Sequence, residues 1–281
     1  MKIKRLINIS RPRFWVYLLG TYMVGVIAAG DLGFYSIESL TILIGLFIFF
    51  SFPANLLVYG VNDIYDYETD KHNPKKIEYE ELVSPKDQVQ LWDTIRLITL
   101  PFLLFFFLLN VYASIALVVF LFASIYYSAK PIRGKTHPPL DVIFSSIIYI
   151  SPAVIGFFAT GNTNISWLGI AGGLLWAAAM QTYSAVPDID ADTKGGVRTL
   201  ATVLGERTAL LFCFFAYLGA SIVGYIQLGV IPLVLGLVYL GMVVYTIRNP
   251  QKSLMVYKKF PLINTVFGMV LFFLLLAEFM L

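Results

Sequence analysis

Long apolar stretches alternate with short polar ones along this chain, and the alternation is regular enough to predict elements. Every Lys and Arg, twenty in all, falls in one of five patches: residues 2–13, 71–96, 130–135, 194–207 and 248–259. The intervals between them, residues 14–61, 97–129, 136–193 and 208–247, carry none. Basic loops stay on the cytoplasmic side of a membrane, so each interval must cross and return. Four intervals predict eight helices, and residues 260–281 predict a ninth at about 20 residues per span. The pattern therefore predicts an all-α membrane protein with nine transmembrane helices around a central cavity. Its N-terminus is expected in the cytoplasm and its C-terminus outside. The interval 97–129 is short for two crossings and predicts a tight hairpin turning near Asn110-Val111. Only Asp31, Glu38 and Glu278 carry acid on the outer side of this topology.

Composition agrees. The chain has 281 residues, 58% hydrophobic and 13% charged, with a mean hydropathy of +0.78. A soluble domain has no way to bury that much apolar side chain. No nucleic-acid partner is expected at a net charge of +3. Residues 1–281 read as one transmembrane domain with coarse pseudo-repeats at 14–129 and 136–247. Residues 1–30 have a basic start and small residues at Ala28-Ala29-Gly30, as a signal peptide does. Arg11-Pro12-Arg13-Phe14-Trp15, however, reads as an interfacial anchor, so the first helix is expected to be retained. Cys213 reads as a buried packing residue, and His72 and His137 as ordinary loop residues without zinc-ligand spacing.

The longest polar stretch runs from Asn62 to about Asp93 and is expected to form a partly helical lid over a site. Near its end, Ser84-Pro85-Lys86-Asp87 reads as an N-cap, a proline at the first helical position and an acid in the first turn.

Two acidic clusters lie at the ends of apolar segments, after helices 2 and 6, on the cytoplasmic side. One is Asn62-Asp63-Ile64-Tyr65-Asp66-Tyr67-Glu68-Thr69-Asp70, and the other is Asp188-Ile189-Asp190-Ala191-Asp192. A carboxylate near a bilayer is costly, so such clusters point to function. If helix 2 continues through the first cluster, Asp63, Asp66 and Asp70 share one helix face; Asp188 and Asp192 share another, and Asp190 points elsewhere. The repeat would set the two clusters opposite each other across the cavity, where they repel unless cations lie between them. Oxygen-only ligands favour magnesium, completed by substrate phosphate and water. Lys130, Arg133, Lys135, Lys194 and Arg198 stand where a departing diphosphate needs neutralising charge. The organic partner would be an allylic cation, for which Tyr126, Tyr127, Tyr149, Trp176 and Tyr183 offer aromatic faces. Glu78, Glu80, Glu81 and Asp87 read as solvated loop charges. A cation transporter would also line its path with acids, but here both clusters are on one side and the spans are nearly free of charge.

These motifs resemble the UbiA superfamily of intramembrane prenyltransferases. The family's NDxxDxxxD signature stands as Asn62-Asp63, Asp66 and Asp70, and its DxxxD as Asp188 and Asp192. Tyr127-Ser128-Ala129-Lys130-Pro131 and the stretch from Gly195 to Gly205 are also similar to the family. The resemblance implies that Asn62, Asp66, Asp70, Asp188 and Asp192 are catalytic, and that Asp66, Asp70, Asp188 and Asp192 hold two magnesium ions bridging a prenyl diphosphate. Asp63 would support that set. Lys130, Arg133, Lys194 and Arg198, with Tyr127, would bind the donor, while a lipophilic acceptor enters from the lipid side. Within the family, Ser10-Arg11-Pro12-Arg13-Phe14-Trp15, the run from Asn62 to Lys76, Pro138-Pro139-Leu140-Asp141 and Tyr183-Ser184-Ala185-Val186-Pro187-Asp188-Ile189-Asp190 look like the lycopene elongases. That branch implies a dimethylallyl donor and a linear carotenoid acceptor. A polar acceptor (a quinone precursor, a haem or a glycerol phosphate lipid) is the alternative; if it were anionic, Arg11 and Arg13 would be the spare bases for it. The motif region leaves Arg11, Glu68, His72 and Asp190 without assigned roles.

Overall fold

The computed structural model of the chain describes residues 1–30, 36–71 and 81–280. Among the described residues every regular element is helical. The stretch from His72 to Glu80, which holds Asn73-Pro74-Lys75-Lys76, Glu78 and Glu80, lies outside the described residues, as does Asp31, so the expected lid is described only at its ends.

Among the described residues six helices are long and apolar enough to cross a membrane: Ile37–Tyr65, Pro85–Phe107, Leu140–Ala159, Glu206–Leu228, Val230–Arg248 and Phe260–Glu278. Val16–Ala28 and Val111–Tyr126 are apolar but have 13 and 16 residues. Trp167–Ala185 has 19 residues and is diluted by glycine and alanine.

The chain divides into two compact units. Met1–Arg133 with Ser151–Ile165 form the first, and Gly134–Ile150 with Ser166–Leu281 the second. The first is built around Ile37–Tyr65, on which Ile3–Ile9, Val16–Ala28 and Pro85–Thr99 pack. Ser36 caps this helix by accepting from the Ser39 N–H, and Glu38 in its first turn favours the positive end of the dipole. Pro53 interrupts the ladder inside it, and the buried Asn55 amide donates to the Phe50 carbonyl at 3.0 Å and also to that of Ser51. At 29 residues the helix is about 43 Å long, well over a hydrocarbon core of about 30 Å. Its last turns can therefore reach past the apolar layer, and these turns carry the first acidic motif.

Two bare glycine faces let helices approach closely here. A Cβ at Gly25 would fall 1.9 Å from the Ala153 carbonyl oxygen, and one at Gly156 would fall 2.6 Å from that of Tyr22.

The third span begins earlier than expected. Its helix starts at Pro85 and tightens at Leu100–Phe107 into a 3₁₀ stretch, whose rise of about 2.0 Å per residue covers more depth with fewer residues. The hairpin does turn at Asn110, which caps the next helix by accepting from the Ala113 N–H at 2.9 Å. Ser84 stands at the N-cap of the Pro85 helix, but its hydroxyl donates to Asp87 Oδ2 at 3.1 Å and makes no cap bond.

In the second unit, Trp167–Ala185 and Val230–Arg248 pack on Glu206–Leu228. Tyr217 stacks on Tyr239 with ring centroids 4.6 Å apart. The Tyr239 hydroxyl donates to Asn264 Oδ1 and accepts from the Trp176 indole at 3.3 Å. Cys213 is buried, as expected, against the Ala179 carbonyl.

Candidate active site

Asn62 and Asp63 occupy the last helical turn of Ile37–Tyr65. The helix does not run unbroken through the motif. It ends at Tyr65, Asp66 caps it at φ −107° and ψ 3°, and the short helix Tyr67–Asp70 follows. The Asp66 N–H still donates to the Asn62 carbonyl at 3.1 Å, and that of Asp70 to the Asp66 carbonyl at 2.8 Å. The four-residue spacing therefore survives the break, and Asp66 and Asp70 stand one turn apart.

All three aspartates are buried, with exposures of 2% for Asp63, 5% for Asp66 and 9% for Asp70. Carboxylates so placed need countercharge. The Arg11 guanidinium donates to Asp63 Oδ1 at 2.8 Å while lying 4.8 Å above the Tyr59 ring centroid. Arg11 itself takes the left-handed conformation at φ 52°. The anchor it belongs to is fixed locally, since the Trp15 indole donates to the Ser10 carbonyl at 3.1 Å. Arg11 is thus committed to the first motif and is not the spare base the sequence suggested. Arg13 lies 4.5 Å from the Phe14 ring centroid.

The segment after Val111–Tyr126 meets the same motif at two points. The Asn62 amide donates to the buried Ser128 hydroxyl at 3.3 Å, and Arg133 approaches Asp66 Oδ1 at 3.5 Å. Arg133 adopts φ 46°, and Lys130-Pro131 is a cis peptide. Lys130 is exposed on this turn, and Tyr127 is half-buried. Outside the motif proper, Lys71 donates to Glu68, which raises the ammonium above the ordinary lysine range; both side chains are exposed, so the pair adds little stability.

Glu81 and Asp87 are not merely solvated loop charges. Arg5 pairs with Asp87 at 2.7 Å and with Glu81 at 3.7 Å, and the Asn8 amide donates to Glu81 at 3.2 Å. The N-terminal helix thereby holds the start of the Pro85 helix.

In the second unit, Pro187 and Asp188 close a 3₁₀ turn after Trp167–Ala185, and Asp188 stands at the N-cap of Ile189–Lys194. Asp188 and Asp192 are half-buried, whereas Asp190, Lys194 and Arg198 are exposed. Tyr183 does not offer a face to a substrate within this unit. It is 0% exposed, its hydroxyl bonds Thr246, and its ring packs 4.8 Å from that of Phe260.

Among the described residues no three His, Cys, Asp or Glu side chains gather around one metal position. Asp66 with Asp70, and Asp188 with Asp192, are instead pairs of hard oxygen donors. Such pairs fit magnesium, which keeps several positions for phosphate and water. Burial of Asp66 and Asp70 adds to the fit, because a divalent cation offsets two neighbouring charges.

With only helices among its described residues, six of them of spanning grade, and buried acids at a helix end, the chain is an integral, multi-pass membrane protein. The model of the UbiA prenyltransferase family matches residues 18–247. A lycopene elongase/hydratase of Haloarcula japonica is 39% identical over 265 residues, covering 94% of this chain and 88% of its own length. The apo structure of a UbiA homolog from Aeropyrum pernix K1 has a similar fold (TM-score 0.73, 19% identity, 96% of this chain and 99% of the other). So has a UbiA homolog from Archaeoglobus fulgidus bound to GPP and Mg2+ (TM-score 0.67, 16% identity, 95% and 99%). The chain belongs to the UbiA prenyltransferase family, and it is a prenyltransferase.

Proposed function

We propose that this enzyme transfers a dimethylallyl group from its diphosphate to a linear carotenoid, with lycopene the expected acceptor. The observation that carries the reading is the set of three buried aspartates, Asp63, Asp66 and Asp70, beside two arginines at the end of a membrane-spanning helix. The similar protein named lycopene elongase/hydratase supports the acceptor. So does the commitment of Arg11 to Asp63, which removes a base that an anionic acceptor would need. The similar fold that binds GPP and Mg2+ supports the donor class and the metal.

Asp66, Asp70, Asp188 and Asp192 would hold two magnesium ions, with Asn62 beside them. When bound, the metal supplies charge neutralisation to the departing diphosphate. Lys130, Arg133, Lys194 and Arg198 bind the diphosphate oxygens and add to that neutralisation. Tyr127 lines the donor. Asp63, locked by Arg11, keeps the end of its helix in place. The carbon–oxygen bond breaks with its electron pair leaving on the diphosphate, and the allylic cation is attacked by the terminal double bond of the acceptor. A new carbon–carbon bond forms, and water discharges the resulting tertiary cation, leaving a hydroxyl and releasing one proton. Nine crossings, with the N-terminus and both acidic motifs on the cytoplasmic side, complete the proposal.

The protein purified in detergent is expected to convert lycopene with dimethylallyl diphosphate only when magnesium is present. Excess EDTA should stop the reaction and added magnesium should restore it. Product formation that persists in excess chelator would contradict the metal-dependent reading.

A further inference from the structure

Asp141 stands in the first turn of the Leu140–Ala159 helix and is 2% exposed. Its Oδ2 accepts a hydrogen bond from the backbone N–H of Leu200 at 2.7 Å. Leu200 opens the short helix Leu200–Leu204, which carries its own capping box. The Thr202 N–H donates to Thr199 Oγ1 at 3.2 Å, and the Thr199 N–H to Thr202 Oγ1 at 2.9 Å. That box satisfies the third N–H of the helix, and Asp141 takes the first. Burying a carboxylate is costly, and what this one holds besides the backbone N–H groups of its own helix start is a segment 59 residues away.

The segment it ties down is Gly195-Gly196-Val197-Arg198. Two adjacent glycines, one of them at φ 68°, give this loop little stiffness of its own. Its near end is held by the Val197 N–H, which donates to the Asp192 carbonyl at 2.8 Å. Its far end is held by Asp141. Lys194 and Arg198 flank these glycines.

We propose that Asp141 is a positioning residue for donor binding: it fixes the loop that presents Lys194 and Arg198 to the prenyl diphosphate. The inference rests on the reading of the second acidic motif given above. A lost bond to a charged group at this point should weaken diphosphate capture about tenfold.

The test is steady-state kinetics with dimethylallyl diphosphate on purified variants. Asp141→Ala should raise KM for the diphosphate about tenfold while kcat changes less than about threefold; Asp141→Asn, which keeps an acceptor, should stay within about threefold of the parent. Leu200→Pro removes the same bond from the other side, and it suits the fold. Proline is favoured at the first helical position, and Thr199 already has the extended backbone that precedes a proline. Leu200→Pro should raise KM like Asp141→Ala, and the double variant should be no worse than either. Unchanged KM in Leu200→Pro, or additive losses in the double variant, would overturn the inference, even if Asp141→Ala fails to fold. Asp192→Ala is run beside them. If it keeps normal KM and turnover, the reading of the second motif falls and the inference with it. If Asp192→Ala is impaired while Asp141→Ala and Leu200→Pro are normal, the inference alone falls.

Discussion

Asp66→Ala and Asp192→Ala are each expected to lower turnover by about a thousandfold while the protein stays folded in detergent. Departure of a diphosphate from carbon needs several kcal/mol of charge stabilisation from a metal and its cationic neighbours, and each ~1.4 kcal/mol lost is tenfold in rate. Each carboxylate contributes only in the assembled site, so either loss alone is nearly complete. Folding should survive for different reasons. Asp192 is half-buried on a short helix, so it carries little packing. Asp66 is buried, but its removal takes one negative charge from three that crowd two turns of chain, leaving the half-exposed Arg133 to solvent. Turnover is read from carotenoid products, and folding from thermal denaturation and elution volume. Near-normal turnover in both variants would remove the mechanism.

Arg11→Leu is expected to be the most destabilising of the changes considered, by about 3–5 kcal/mol, because it strands a buried carboxylate. Asp63 has 1% of its side chain exposed and Arg11 only 15%, so neither has ready access to water. Replacing both, as Arg11→Leu with Asp63→Leu, should recover most of that stability, since a buried ion pair exchanged for apolar side chains is often neutral. The double variant should still turn over more slowly, because the end of the Ile37–Tyr65 helix loses a fixed point beside Asn62 and Asp66. Resistance to thermal inactivation in detergent checks the stabilities. A stable Arg11→Leu, or a double variant as fragile as the single one, would mean that this pair does not hold the motif.

The acidic motifs and the long spans were legible because the membrane makes both conspicuous. Charges avoid hydrocarbon, so the few acids at helix ends stand out, whereas the basic patch at 71–96 hid the start of the Pro85 helix, which carries Lys86 and Arg96. Local chemistry was legible too: the hairpin turns at Asn110, Pro85 opens the helix before it, and Cys213 packs inside. Partners distant in sequence were not. Arg11 meets Asp63 across 52 positions and Arg5 meets Asp87 across 82, and no periodicity encodes such a match. One signal did exist for Arg11. Three acids in two turns require countercharge, and an arginine followed by proline beside an interfacial tryptophan is well placed to reach back. The break at Asp66 was hidden because the four-residue spacing continues through it. Tyr183 was misread as a substrate face because an aromatic beside an acidic motif looks the same in sequence whether it points into a core or a cavity; here it packs on Phe260. Asp141 stood in a recognised stretch, yet its carboxylate serves a backbone amide 59 residues away.

Prenyl transfer to a linear carotenoid is tested by extracting carotenoids from cells engineered to accumulate lycopene, with and without this protein. New carotenoids heavier by one or two five-carbon units are expected, carrying hydroxyl groups where water has discharged the cation. Unchanged lycopene in cells that demonstrably make the protein would contradict it.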